Sequence, residues 1–462
     1  FALSSKTQNA RYKFVTHVGH ADLNAINIDK RGMSRVNLSA SADFTKINTG
    51  DVRGKIDIGD IVLQNSTGRY DIGDIKLNSY SSDNTYTIRL DSRFANGRYS
   101  GSAPVLTFVK DLRDITLKKE LPALFTDSTY VWNGNSYGLD FKFYNSMDLL
   151  SFVMPGLYID EGTQLTANLD RQGGFSAHLN SNRLAFKKEY LKGLNADFGN
   201  ADDALDGRLN CSELKIASLS LKDSHLNLHG NDNHLGIRMD YDNQTELENS
   251  GEIILHGSFE RDEDGLGIGL DFLPSSIRFN SKEWSFEPSE LFYKNNDLDV
   301  KTFALVSGNE RISIEGKASQ EKADTLNLNL EHFDISIVDH ILKQDFGTKG
   351  LATGTVQLTS PLKDKGILID MICDSTSFAS TPLGILNIGS RWNDADKDFE
   401  IFVRNDLEGK NNINAYGTLK PDGGLLDITA DLDRLDVSYA HPFLDEIFSE
   451  MDGKISGRID VN

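Results

Sequence analysis

Residues Asp324–Leu358 read DTLNLNLEHFDISIVDHILKQDFGTKGLATGTVQL. Leu326, Leu328 and Leu330 alternate with Asn327, Asn329 and Glu331, so a β-strand here carries one apolar and one polar face. After Phe333-Asp334 the rhythm changes. Ile337, Val338, Ile341 and Leu342 recur at three- and four-residue spacing, with Lys343 near the end and Gly347 beyond, which predicts a short amphipathic helix. Strand rhythm returns from Leu351 to Leu358.

The same order recurs about a hundred residues on. LLDITADLDRLDVSYAHPFLDEIFSEMDGKISGRIDV, Leu425–Val461, sets Leu435-Asp436-Val437-Ser438 against Phe333-Asp334-Ile335-Ser336, and Gly453 and Gly457 against Gly350 and Gly354. A shorter version is LDFKFYNSMDLLSFVMPG followed by GTQLTANL, Leu139–Leu169. A unit repeated in this way points to chained supersecondary modules.

Two cysteines, Cys211 and Cys373, lie in alternating apolar segments and make no disulfide framework; each reads as a small buried side chain. The formal net charge of −21 opposes a phosphate backbone and argues against nucleic-acid binding. No stretch approaches the roughly 20 apolar residues of a membrane helix. The chain begins at Phe1 without Met or a signal-type stretch, which reads as a piece of a longer polypeptide.

From the N-terminus, residues 1–103 alternate almost throughout, repeating DIGDI at Asp57 and Asp71, with Asn96-Gly97 as a hairpin signal. Residues 104–125 hold Leu106, Val109, Leu112, Ile115 and Leu117 near helical spacing behind Pro104, a crossing helix. Residues 126–335 return to strands, with a short helix near 147–155. Residues 336–437 form a further segment opened by a short helix, and 438–462 begin the next. The fold class expected is all-β with short helices: an elongated, curled antiparallel β-sheet groove with an apolar interior. Such an interior either collapses as a dry core or admits an apolar guest, and periodicity does not separate the two.

The run from WSFEP at Trp284 through DVKTFALVSGNERISIEGKAS, DTLNLNLEHFDIS and STPLGILNIGSRWNDADKDF to Leu425–Val461 resembles the TamB family of translocation and assembly module proteins, in particular the large Bacteroidota versions. LDSRFANGRYSG and LLSFVMPGLYIDEGTQLTANL are similar to it as well. The resemblance implies an AsmA-like, repeating β-groove (β-taco-like) protein that holds phospholipid acyl chains. It implies a periplasmic location, an inner-membrane anchor absent from this stretch, and work beside an Omp85-type (TamA-like) outer-membrane barrel. The function expected is conduction of phospholipid between inner and outer membrane. The alternative is a scaffold or chaperone for outer-membrane proteins acting by β-strand augmentation. The expected groove-lining residues are Ile56, Ile58, Ile72, Leu139, Phe141, Phe143, Leu326, Leu328, Leu330, Ile367, Ile369 and Ile428, each on the apolar side of its strand.

Catalytic chemistry is not expected, and neither is a cofactor. His225 and His229 in HLNLH lie four apart on a strand, about 13 Å from each other, too far to share an ion. Asp394, Asp396 and Asp398 suggest a calcium loop, but Phe399 stands where that loop needs glycine. No nucleophile elbow or phosphate-binding glycine loop occurs.

Overall fold

The computed structural model describes residues 10–48, 51–82, 84–127, 132–200, 204–217, 219–244, 249–279, 282–321, 324–337, 339, 347–359, 366–379, 381–393, 398–419, 426–440 and 452–461. Strand makes up 72% of the structure and helix 8%, with antiparallel pairing throughout, so the all-β reading with short helices holds. Twenty-nine strands occur among the described residues. The chain forms two units, residues 1–252 with 258–260, and residues 253–257 with 261–462.

In the first unit most strands pair with their neighbours in sequence, as hairpin chemistry dictates. The exceptions are Tyr137–Phe143, which pairs with Gln164–Leu169 across an inserted helix, α2 (Met147–Val153), and Leu157–Ile159, which pairs with Phe175–Phe186. Asn96-Gly97 is not the turn. It lies inside the strand Ala95–Gly101, and the chain reverses one step earlier, where Ser92 Oγ donates to Ala95 O (2.6 Å) and accepts from Ala95 N–H (3.0 Å). Gly97 is instead a seat for an aromatic ring, since a Cβ there would stand 2.5 Å from Cε1 of Phe141.

The crossing segment is α1 (Val105–Arg113), a π-turn over Asp114–Lys118 and a short 3-10 turn at Pro122–Leu124. Its buried side is Phe108, Asp111 and Ile115, while Leu106, Val109 and Leu117 are exposed. Leu106 and Val109 lie on the outer side of α1 itself, and the wider π-turn shifts the phase only of the residues that follow it. Phe108 and Ile115 join Tyr99, Tyr137, Ala167 and Leu169 in one buried cluster.

In the second unit the repeat read from the sequence is reproduced bond by bond. Thr325–Asp334 bulges between Leu330 and Phe333, and Leu426–Asp436 bulges between Leu432 and Leu435. Each bulge holds a positive-φ residue, His332 (49°) and Arg434 (51°), whose N–H donates to the Thr353 hydroxyl (3.0 Å) and the Ser456 hydroxyl (2.8 Å) respectively. The next turn repeats too. Asp334 Oδ1 accepts from Ser336 N–H (3.0 Å) and Asp436 Oδ1 from Ser438 N–H (2.9 Å), while Ile335 and Val437 each donate to a glycine carbonyl, Gly350 and Gly453 (3.1 Å). Of the helix expected after Asp334, Val338, Ile341 and Leu342 lie outside the described residues, as do 441–451 of the second copy.

Most apolar residues of the described strands are neither buried nor fully exposed.

Candidate functional site

Cross-strand register collects the inward residues into continuous rows. In the first unit Phe14, Ala42, Ile56, Leu77, Leu90, Gly97, Phe141, Leu165, Leu179, Ala196, Leu209, Leu226 and Met239 stand opposite one another in succession, with no polar side chain among them. The adjacent row includes Ile88, Tyr99, Leu139, Ala167 and Ala177. Ile58 stands between Ala40 and Ile75, and Phe143 opposite Ala95.

In the second unit a row runs Leu305, Ile312, Leu330, Gly354, Met371, Ile388, Val403, Ala415, Ala430, Ile459. Beside it lie Phe303, Ile314, Leu328, Val356 and Ile369, then Leu326, Leu358 and Ile367. Ile428 follows Ile401 and Gly417. The polar member beside Ile401 is Ser390, and its hydroxyl is absorbed by the backbone, accepting from Ile369 N–H and donating to Ile367 O, both 2.9 Å. An alternating strand thus keeps its polar groups off this face or satisfies them at once.

The opposite face is a lattice of polar pairs, part-buried or exposed. Thr355 Oγ1 donates to Asn329 Oδ1 (2.9 Å), Gln357 Nε2 to Asn327 Oδ1 (2.9 Å), and Arg11 Nε to Asp43 Oδ1 (2.8 Å). His225 pairs with Asp240 (2.8 Å) and His229 with Asp206 (2.9 Å), so each imidazole faces a carboxylate on a neighbouring strand. Among the described residues no three His, Cys, Asp or Glu side chains gather as a metal site would require. Asp394 and Asp396 lie outside the described residues, and Asp398 is buried. Cys211 and Cys373 are both buried, and burial pushes both thiols up, which makes them inert.

The twelve expected lining residues fall into two environments. Ile72 is buried at 3% exposure, on a strand against which α2 packs, with Phe152 edge-on to Tyr70 at 6.0 Å. Leu139 is packed against the cluster under α1. Ile56, Ile58, Phe141, Phe143, Leu326, Leu328, Leu330, Ile367, Ile369 and Ile428 are neither buried nor fully exposed.

Several buried polar groups were not read from the sequence, among them Asp111, Asp114, Lys118 and Glu120 on the crossing segment. Asp111, on the inner side of α1, accepts from the Tyr137 hydroxyl (2.6 Å) and from Asn135 Nδ2 (2.7 Å). Burial first, then the bond to Asp111, raises the Tyr137 phenol above its usual range. Burial first, then the Asp111 charge, does the same to Tyr99, whose hydroxyl donates to Ala103 O. The signal was in the spacing: Asp111 falls in helical phase with Phe108 and Ile115. Its partners come from elsewhere in the chain and anchor α1 across the apolar face. Comparison with protein-family models, with curated proteins and with solved structures finds no match to this chain.

Proposed function

We propose that the apolar face holds the acyl chains of phospholipids and conducts them between an inner and an outer membrane, in a periplasmic protein of the translocation and assembly module type. The observation that carries this reading is the uninterrupted apolar row across ten strands of the second unit, whose side chains stay part-exposed. A surface of this kind leaves water on hydrocarbon at a cost of about 25 cal/mol per Å². A hydrocarbon guest removes that cost without needing any polar partner. The polar lattice behind the same strands keeps the outer face hydrated. In this reading an Omp85-type barrel and an inner-membrane anchor are partners of the longer protein, and the resemblance to TamB rests on the quoted motifs alone. Native mass spectrometry of protein released from its source without delipidation tests it. Bound phospholipid supports the reading, and a rigorously lipid-free chain overturns it.

A further inference from the structure

The strand ends of the first unit are not alike. Antiparallel order brings the 23–33 loop, the C-terminal end of α2 and the hairpin turns at 186–189 and 216–219 to the same end of the strands. They are joined there. Arg31 Nη1 donates to Phe152 O (2.8 Å) and Val153 O (3.2 Å), Lys187 N–H to Gly156 O (2.7 Å), and Ala217 N–H to Glu189 Oε2 (3.1 Å). From this rim project Ile26, Ile28, Val153, Met154, Phe186 and Leu219, each between 46 and 69% exposed. Lys30, Lys187 and Lys188 stand exposed among them, with Lys187 Nζ 5.2 Å from the Phe186 ring centroid.

The other strand ends are closed by the crossing segment. Asn233 N–H donates to Glu120 O (2.8 Å), Asn233 Oδ1 accepts from Ala123 N–H (2.7 Å), and Trp132 Nε1 donates to Arg171 O (3.2 Å). Leu106, Val109 and Leu117 are exposed on that segment with Lys110 and Arg113 among them, and the turns beside it bear Asp170, Arg171 and Asp232.

We propose that the rim carrying Ile28, Met154, Phe186 and Lys187 docks on the surface of an anionic lipid bilayer. Exposed apolar side chains at strand ends, with Lys187 beside Phe186, Lys30 two residues from Ile28 and Arg31 at Val153, suit a headgroup layer with hydrocarbon beneath it and phosphate above. A folded protein partner would need a flat, contiguous apolar patch, whereas these side chains stand apart on separate turns. Charge selects the same occupant. A chain of net charge −21 is repelled by anionic membranes in general, so approach is restricted to a rim where cations are gathered. Of the acids at this end, Asp29 is held by Arg31 (2.8 Å) and Glu189 accepts from Ala217 N–H (3.1 Å), while Glu161 stands exposed.

Flotation of the full chain with vesicles tests this. Binding is expected to vesicles of phosphatidylcholine with phosphatidylglycerol, and far less to phosphatidylcholine alone. Exchanging Lys187→Glu and Lys188→Glu should lower partitioning by at least about fivefold per lysine. Phospholipids brominated in their acyl chains should quench the emission of F186W beyond that of the wild type and leave Q172W, on the opposite strand ends, at the wild-type level. Absence of flotation, or quenching equal in the two variants, overturns the proposal and leaves a protein as the occupant. The outcome is independent of acyl-chain binding along the rows, because L328D should float as the wild type does.

Discussion

Leu328→Asp is the substitution that most directly separates an occupied apolar face from a dry one. Leu328 stands between Ile314 and Val356 on the adjoining strands, with Leu326 and Leu330 two residues away on its own. Because it is part-exposed, removing its side chain forfeits only part of the roughly 1.5–3 kcal/mol that full burial of a leucine contributes, about 1–2 kcal/mol of stability. A guest loses more. An acyl chain crossing this point must lift away from the carboxylate, since an unpaired charge does not stay buried against hydrocarbon. Rehydrating about three methylenes at about 0.8 kcal/mol each gives roughly 2.4 kcal/mol, a loss in lipid occupancy of about sixtyfold. The assay is native mass spectrometry of co-purified phospholipid, beside circular dichroism to establish that the strands persist. Asn329→Asp, one residue along and on the polar face, should retain lipid like the wild type. A folded L328D that keeps its lipid refutes the reasoning, and loss of the fold itself would show that these leucines form a dry core.

Gly97→Ala places a methyl 2.5 Å from the Phe141 ring and should destabilise the first unit by about 1–3 kcal/mol in denaturant melts, with part of that loss recovered when Phe141→Ala is added. The phenols of Tyr99 and Tyr137 are held protonated above their usual range. The stability they contribute is therefore complete below about pH 10 and drains away above it, where the unfolded chain ionises first. Alkaline unfolding should shift to higher pH in Y137F, although its stability at neutral pH falls with the lost bond to Asp111. Cys211 and Cys373 are both buried with raised thiol ionisation, so a chromogenic disulfide reagent should react with neither until denaturant is added.

Alternation made the apolar side of most strands legible, because a period of two needs no knowledge of the partner strand. What alternation hides is how a face survives an odd step. Leu326, Leu328 and Leu330 are even-spaced, yet Phe333 is three residues further on and still stands opposite Ala352. The bulge at His332 absorbs the extra residue. The same device at Arg434 returns Leu435 to its place opposite Ile455. Self-similarity of the two stretches was visible in the sequence, but a histidine and an arginine in the same left-handed conformation are not similar residues, so the shared bulge was not. Coverage was hidden for a different reason. Ile72 and Ile56 look alike in sequence, yet Ile72 is buried on the strand against which α2 chiefly packs and Ile56 is not. Helical spacing in residues 104–125 showed a helix but not which apolar positions face inward, since Leu106 and Val109 stand on the exposed side of α1 and Phe108 and Ile115 on the buried one.

The length of the row in the second unit bears on whether the face is a single binding site or a path. From Leu305 to Ile459 it crosses ten strands, and at about 4.8 Å per step this is roughly 43 Å measured along the sheet. One leaflet of bilayer hydrocarbon is about 15 Å thick, half of the usual core. A row nearly three times that length is longer than one acyl chain can cover, and nothing along it distinguishes one place from the next. Its members are aliphatic, glycine or, at Met371, a thioether, without a charge or hydroxyl that would fix a headgroup at one strand. A guest therefore meets nearly equal free energy at successive positions, which favours sliding over capture. The expected stoichiometry follows: under lipid excess, native mass spectra should show two or three phospholipids per chain, lost in steps of similar collision energy. A sharp limit of one lipid, removed only at distinctly higher energy, would show a single specific pocket and would argue against conduction along the row.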